Sequence, residues 1–313
     1  MGSYIVRRVL LAIPILLAVL TLVFLLVRVA PGDPAVAALG DYASRESVAA
    51  LREKMGLNAP LYVQYVEFLS GLVRGDLGKS LITSRPVSSQ IASALPYTLE
   101  LTFTGIVIGA LLGIPLGVIT AVKRNSLVDY IGRILSLAGL SVPAFYLGII
   151  LLLIFSINLG LFPVVGGGDL GNLGDTLYYL FLPALTLALI MMSYVTRMSR
   201  SSFLNILNED YVRTARAKGL RERIVVVKHV MRNALLPVLS VVGMFSVVLI
   251  GSSVMTEVVF SRPGLGKMMV GAMKQRDYIM LQSIMVIFSF LVIVINLVTD
   301  LAYGFIDPRI RYD

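Results

Sequence analysis

Six stretches of this chain contain no Asp, Glu, Lys or Arg: Val9–Val27, Leu101–Val122, Ile134–Gly168, Thr176–Thr196, Asn233–Thr256 and Tyr278–Thr299. A helix needs ~20 predominantly apolar residues to cross a bilayer, because hydrocarbon offers no partner to an unpaired backbone group. Five of the stretches have that length. The 35-residue stretch from Ile134 reads as one helix to about Ile157, then a loop rich in glycine around Pro163. The expected fold is an all-α integral membrane protein with six transmembrane helices. Composition agrees: 14% of residues are charged, against about 25% in soluble domains. That much apolar area excludes intrinsic disorder. The absence of cysteine and the single histidine, His229, remove disulfide scaffolds, Cys-based zinc sites and thiol nucleophiles, and Ser-His-Asp triads elsewhere in the chain.

The first stretch follows Arg7 and Arg8, as a signal peptide would. It exceeds the ~7–15 residues of a cleavable core, and Arg28-Val29-Ala30 offers no A-x-A site. It therefore reads as a retained anchor. Six crossings put both termini on one face. That face collects sixteen Lys and Arg residues, nine of them in segment 197–232, against ten on the other. The short loop 158–175 has Asp169 and Asp175 and no base. Cytoplasmic loops hold the excess of basic residues, so both termini and segment 197–232 are expected in the cytoplasm of a bacterial or archaeal inner membrane. The formal charge of +9 then follows from topology and lipid contact rather than from nucleic acid.

Three regions result: an anchor helix over 1–30, an extracytoplasmic helical segment over 31–96, and a five-helix core over 97–313. In the second region Ser44 can cap a helix over 45–55, with Val48, Leu51 and Met55 on one face. Pro60 opens another, with Leu61, Tyr65, Phe68 and Leu72 at helical spacing.

Most candidate chemistry fails on inspection. Gly78-Lys79-Ser80 resembles the end of a phosphate-binding loop, but that pattern needs glycine where Val73 stands. Gly264-Leu265-Gly266-Lys267 is followed by Met268, which cannot ligate magnesium. No nucleotide or cofactor site is expected in this chain. Gly105, Gly109, Gly113 and Gly117 form a stripe at four-residue spacing, which lets two helix backbones approach closely. Pro115 and Pro143 imply kinks. Asn296 and Asp300 are four apart and share a face. Structural pairing near the cytoplasmic end is the expected role of Asp300, ahead of proton coupling. Glu100 and Glu257 are expected at the outer interface, and His229 as a solvated or packed side chain.

Segment 197–232 is too long for a simple connector. Ser202 to Lys218 reads as helix, with Phe203, Ile206, Leu207, Tyr211 and Ala215 on one side. Gly219 breaks it, and a second helical stretch over 221–233 leads toward Leu236-Pro237. Such an elbow either packs beneath its own spans or docks a cytoplasmic partner.

Glu209-Asp210-Tyr211-Val212-Arg213-Thr214-Ala215-Arg216-Ala217-Lys218-Gly219-Leu220, followed by Arg232-Asn233-Ala234-Leu235-Leu236-Pro237, resembles the EAA loop of ABC importer permeases. The chain looks like the peptide/nickel permease family, in its dipeptide and oligopeptide permease B branch. Further motifs, in order, are Ala30-Pro31-Gly32-Asp33-Pro34, Gly75-Asp76-Leu77-Gly78 with Ser80, Glu257 to Gly266, Arg276-Asp277-Tyr278 and Asp307-Pro308-Arg309-Ile310-Arg311. The acidic lead of the general EAA pattern is missing, since Arg213-Thr214-Ala215 stands there, and the interval from Gly219 to Pro237 is longer.

The resemblance implies a type I ABC importer permease that works beside a second homologous permease. It also implies two cytoplasmic ABC ATPases that carry ATP and magnesium, and an extracytoplasmic substrate-binding protein. It implies coupling roles for Glu209, Asp210, Tyr211, Arg213, Thr214, Ala215, Ala217 and Gly219. Di- or oligopeptides are the implied substrates, with nickel, glutathione and oligosaccharides as the alternatives within the family. A stand-alone ion-coupled transporter is the competing class. It requires ionisable groups near the midplane, and only Asp300, off-centre, is offered. An intramembrane enzyme lacks the Cys, His or paired carboxylates it would need in a span.

Overall fold

The computed structural model describes residues 2–29, 34–39, 44–54 and 56–306. Ala30-Pro31-Gly32-Asp33, Met55, the Leu51 side chain and the tail motif 307–311 lie outside the described residues. The chain runs through α1 (Gly2–Val29), α2 (Pro34–Leu39), α3 (Arg45–Lys54), α4 (Leu61–Val73), α5 (Val87–Val122), α6 (Leu127–Ser141) and α7 (Ala144–Leu151). It continues with α8 (Leu173–Leu207), α9 (Asp210–Ala217), α10 (Glu222–Ile224), α11 (Met231–Val259), α12 (Leu265–Lys274) and α13 (Tyr278–Ile306). Two π-helical turns, Leu152–Asn158 and Val225–Val230, extend α7 and join α10 to α11. Ser44 caps α3 through its Oγ, which accepts from the Ser47 N–H at 3.1 Å, and Pro60 stands at the N-cap of α4.

Among the described residues, five helices are long and apolar enough to cross a membrane: α1, α5, α8, the continuous rod Glu222–Val259 and α13. The single helix expected from Ile134 is instead a pair, α6 and the extended α7, bent by 107°, which makes a sixth crossing only if the two count as one span. Val142 is extended (φ −97°, ψ 124°), as is Pro143. A residue before proline is pushed out of the α region by the proline ring, so Val142-Pro143 breaks the span. By contrast, α5 is unbroken at Pro115.

A second correction concerns Ser202 to Lys218, which is not one helix. Residues 202–207 complete α8, and the chain breaks at Asn208-Glu209. Glu209 is extended (φ −69°, ψ 148°) and starts α9 afresh. Asn208 donates its Nδ2 to the Leu204 carbonyl at 3.0 Å, the local competition that makes Asn a helix terminator.

The chain forms two compact units, and α1, α5 and α13 each contribute to both. One unit comprises residues 1–5, 99–262 and 294–313. Helix α8 is its centre. Leu180, Leu187, Met191 and Val195 are buried together with Val238 and Leu249 of α11. The glycine stripe of α5 lies against α8 in matching register: Gly105 meets Leu187, Gly109 Met191, Gly113 Val195 and Gly117 Ser199. A Cβ on Gly105 or Gly113 would stand 2.8 Å from the facing Cβ. Four-residue ridges thus interlock on both helices, and glycine is the only residue that permits this approach. Near the end of α11, Arg262 is fully buried, with its Nη2 2.5 Å from Glu100 Oε2 and its Nη1 donating to the Gly167 carbonyl. Glu257 is fully buried too. The loop closes over this end, with the Gly166 N–H donating to the Phe260 carbonyl at 3.1 Å.

The second unit comprises residues 6–98 and 263–293. Its core joins Val87, Ile91 and Ala94 of α5 to Leu265 of α12 and Met280 and Ile284 of α13. Leu20 and Val23 of α1 pack with Leu69 and Leu72 of α4. The motif around Gly78 and the motif around Asp277 meet here. Ser80 Oγ donates to Asp277 Oδ2 at 2.5 Å, and Ser283 Oγ donates to the Leu77 carbonyl at 3.2 Å. The serine that imitates a phosphate loop in the sequence is a structural clasp.

Candidate functional site

Helix α9 begins with Asp210 and carries Arg216 in its last turn, a charge order that complements the helix dipole. Positions three apart share a face. Val212 and Ala215 are accordingly the buried pair, packed with Phe203, Val225, Val230 and Ala234. A fully buried valine contributes about 1.5–3 kcal/mol, enough to seat a two-turn helix. Tyr211, expected on the apolar side, is exposed, and its hydroxyl accepts from Asn233 Nδ2 at 2.9 Å. Ala215 is turned into the chain's own core rather than outward. Val212 is the anchor that the periodicity missed.

The opposite face is open and charged. Asp210 is almost fully exposed and lies 3.5 Å from Arg213, itself 70% exposed. Thr214 and Ala217 are exposed as well, and Glu209 at the N-cap completes the face.

The elbow ends in a Schellman arrangement. The Gly219 N–H donates to the Arg216 carbonyl at 2.9 Å, and the Leu220 N–H to the Ala215 carbonyl at 3.4 Å. Gly219 has φ +76°, the left-handed value that this cap requires. Arg216 then grips Glu222 with two N–H donors at 3.1 and 2.7 Å. Those bonds hold the Arg216 guanidinium above its ordinary pKa. Ser202 Oγ donates to the Ala234 carbonyl at 2.7 Å, binding the end of α8 to the start of α11. The elbow is thus joined to two long helices by packing and hydrogen bonds.

The other residues singled out in the sequence lie apart from α9. The four glycines form the α5–α8 contact. On α13, Asn296 is exposed and Asp300 partly buried. One buried ion pair had a readable signal. Ser126-x-x-Asp129 has the sequence pattern of a capping box: Ser126 Oγ accepts from the Asp129 N–H, and the Asp129 carboxylate accepts from the N–H of the preceding Asn125 at 3.0 Å. It also takes Arg200 Nε and Nη2 at 2.6 and 2.9 Å.

Residues 113–312 match the family described as binding-protein-dependent transport system inner membrane component. The chain belongs to this family. Residues 1–102 match the N-terminal component of the same transport-system membrane proteins. The oligopeptide transport system permease protein AppB of Bacillus subtilis is 43% identical over 316 residues, with both chains covered in full. The glutathione transport system permease protein GsiC of Salmonella choleraesuis is 43% identical over 312 residues, again covering all of both.

Among solved structures, the inward-facing methionine ABC transporter MetNI aligns with a TM-score of 0.58 at 20% identity, covering 72% of this chain and 100% of that one. An amino acid ABC transporter aligns with a TM-score of 0.52 at 16% identity, covering 71% and 95%. These likenesses are of fold. The chain is a multi-pass membrane protein with the all-α fold of ABC importer permeases, and it is a permease subunit of such a transporter. Family membership decides against the stand-alone ion-coupled transporter.

Proposed function

We propose that this chain is one half of the gate in an ATP-driven importer of short peptides, and that α9 is the lever through which it is driven. The observation that carries this reading is the two-faced build of α9. Val212 and Ala215 anchor it beneath the long helices α8 and α11, while Asp210, Arg213, Thr214 and Ala217 are presented outward. A helix tied in this way moves with the spans it supports. ATP hydrolysis, with magnesium, belongs to two partner ATPases. Their closure displaces α9, and α8 and α11 follow. A second permease of the same kind completes the pathway, and an extracytoplasmic binding protein delivers substrate.

The basic bias of segment 197–232 supports placing both termini and α9 on the cytoplasmic side of the inner membrane. In that orientation 1–30 serves as the anchor, 31–96 lies outside, and 97–313 forms the transport core. Short peptides are favoured because full-length relatives at 43% identity are named for oligopeptides and for glutathione, itself a tripeptide.

Mild-detergent capture of the chain from its native membrane should recover a second six-span permease and two ATPases. Recovery of the chain alone, under conditions that keep other transporters intact, would sink the reading.

Gly219 offers a clean test of the lever. Nothing lies within 4 Å of a Cβ built there, so only backbone conformation is at stake. Valine at a positive φ costs about 1–2 kcal/mol, whereas asparagine tolerates it. Gly219→Val should lower peptide uptake and substrate-stimulated ATP turnover severalfold at normal expression, and Gly219→Asn should retain most of both. Equal activity of the two variants would show that the elbow is not the coupling element.

A further inference from the structure

We propose that the cleft between α6 and α8 binds the headgroup of an anionic phospholipid. The cleft has a volume of about 420 Å³ and is lined by Arg133, Ser136 and Leu137 of α6 and by Thr196, Arg197, Arg200 and Ser201 of α8, with Gly132 between them. That size falls within the range of small-ligand sites, roughly 300–1,000 Å³. Three arginines line it, and the Asp129 carboxylate pairs with one of them, Arg200.

That carboxylate is already engaged, by Arg200 and by the Asn125 N–H. Arg200 uses Nε and Nη2 there and keeps Nη1 for another acceptor. Arg133 rests over the Tyr130 ring at 5.0 Å. Among the described residues, no carboxylate pairs with Arg133 or Arg197. The hydroxyl of Ser136 donates to the Gly132 carbonyl, and that of Thr196 to the Gly113 carbonyl. The charged donors at the cleft are guanidinium N–H groups, whose fork suits a phosphate, and the exposed Ser201 stands beside them.

The surroundings decide which anion. Helix α6 is inside out: Asp129, Gly132 and Ser136 are buried, while Leu127, Ile131, Ile134 and Leu137 are exposed. An apolar outer face beside a polar inner one suits hydrocarbon, not water. Leu137 belongs both to the cleft and to that outer face. Arg197 is the first charge after the 21 charge-free residues Thr176–Thr196, which puts the cleft at the rim of the hydrocarbon. Lys123 and Arg124 precede α6 and add positive charge at the same end. A basic pocket between spanning helices on the cytoplasmic side is a recognised form of anionic headgroup site. A phosphate with acyl chains fits both features, and a free phosphate fits only one.

The test is native mass spectrometry of the intact transporter, titrated with phosphatidylglycerol or with phosphatidylcholine of the same acyl chains. Selective retention of phosphatidylglycerol is expected. Arg133→Gln with Arg197→Gln should weaken it by roughly tenfold or more, the scale set by losing two cations near a headgroup. Arg221→Gln with Arg223→Gln removes the same charge from exposed positions elsewhere and should change nothing. If the first pair fails to assemble, Leu137→Asp places a carboxylate at the exposed mouth and should cause the same loss. The proposal is overturned if the two lipids are retained equally or if both arginine pairs weaken binding alike. It is also overturned if millimolar inorganic phosphate displaces the lipid as readily from the Gln variant as from the unaltered chain. A transporter that imports normally yet shows no selective retention overturns the lipid site and leaves the permease reading standing.

Discussion

Gly109→Leu is expected to leave almost no folded chain to recover from the membrane, while Gly251→Leu leaves recovery near normal. A Cβ built on Gly109 would fall closer than 3.0 Å to Met191 and to the Ala188 carbonyl, whereas one built on Gly251 has nothing within 4 Å. Both glycines sit inside long helices, so the loss of glycine's flexibility affects them alike and only the space differs. Overpacking by a single methyl costs about 1–3 kcal/mol, against a total stability of about 5–15 kcal/mol. Gly109→Ala should therefore lower the thermal midpoint of the purified chain by several degrees, and the larger Leu should prevent assembly of the α5–α8 contact. Gly251→Ala should match or exceed the parent, because alanine favours helix by about 1 kcal/mol. A Gly109→Ala midpoint equal to that of the parent would show that α5 and α8 do not meet this closely.

The second large effect is expected at Arg262. Its side chain is fully buried and pairs with Glu100 at 2.5 Å. Removing one member of a buried pair leaves an uncompensated charge and costs about 3–5 kcal/mol, whereas replacing both with apolar groups of similar volume is often neutral. Glu100→Ala should sharply reduce the thermal midpoint, and Glu100→Leu with Arg262→Met should recover most of the loss. A small cost for Glu100→Ala alone would mean that the remaining partners of Arg262, the Gly167 carbonyl among them, suffice to hold it.

Much of this architecture is legible in the sequence, and the rest depends on contacts between distant residues. The spans were legible because a bilayer demands long charge-free runs and the chain has few other ways to satisfy it. The glycine stripe was legible as a close contact, but spacing names no partner, and α8 is supplied by residues more than eighty positions away. Helical periodicity put the elbow in place and found most of its buried face, Phe203 and Ala215 among it, but misplaced Tyr211. Tyr211 is large and apolar enough to seem buried, but its hydroxyl has a partner in Asn233, and the smaller Val212 takes the core position. The break at Val142-Pro143 was announced by the proline, but its 107° size was not, since a kink depends on what the two halves pack against. Glu257 and Arg262 were beyond composition altogether. Burial of charge is paid for by partners distant in sequence, and a linear pattern does not show them.

The clasp between Ser80 and Asp277 sets a timetable for biogenesis. The unit it closes is made from residues 6–98 and 263–293, with the whole of 99–262 synthesised in between. At about 5–20 residues per second, a ribosome needs on the order of ten to thirty seconds to cover that interval. Throughout it, Val87, Ile91 and Ala94 exist without Leu265, Met280 and Ile284, and Ser80 exists without its carboxylate. The unit that contains α8 and α9 can be completed over most of its length while its neighbour is still half a fold. Truncations after residue 262 should therefore retain the α5–α8 contact and lose the clasp, so the stretch after residue 262 acts as the closing step of assembly.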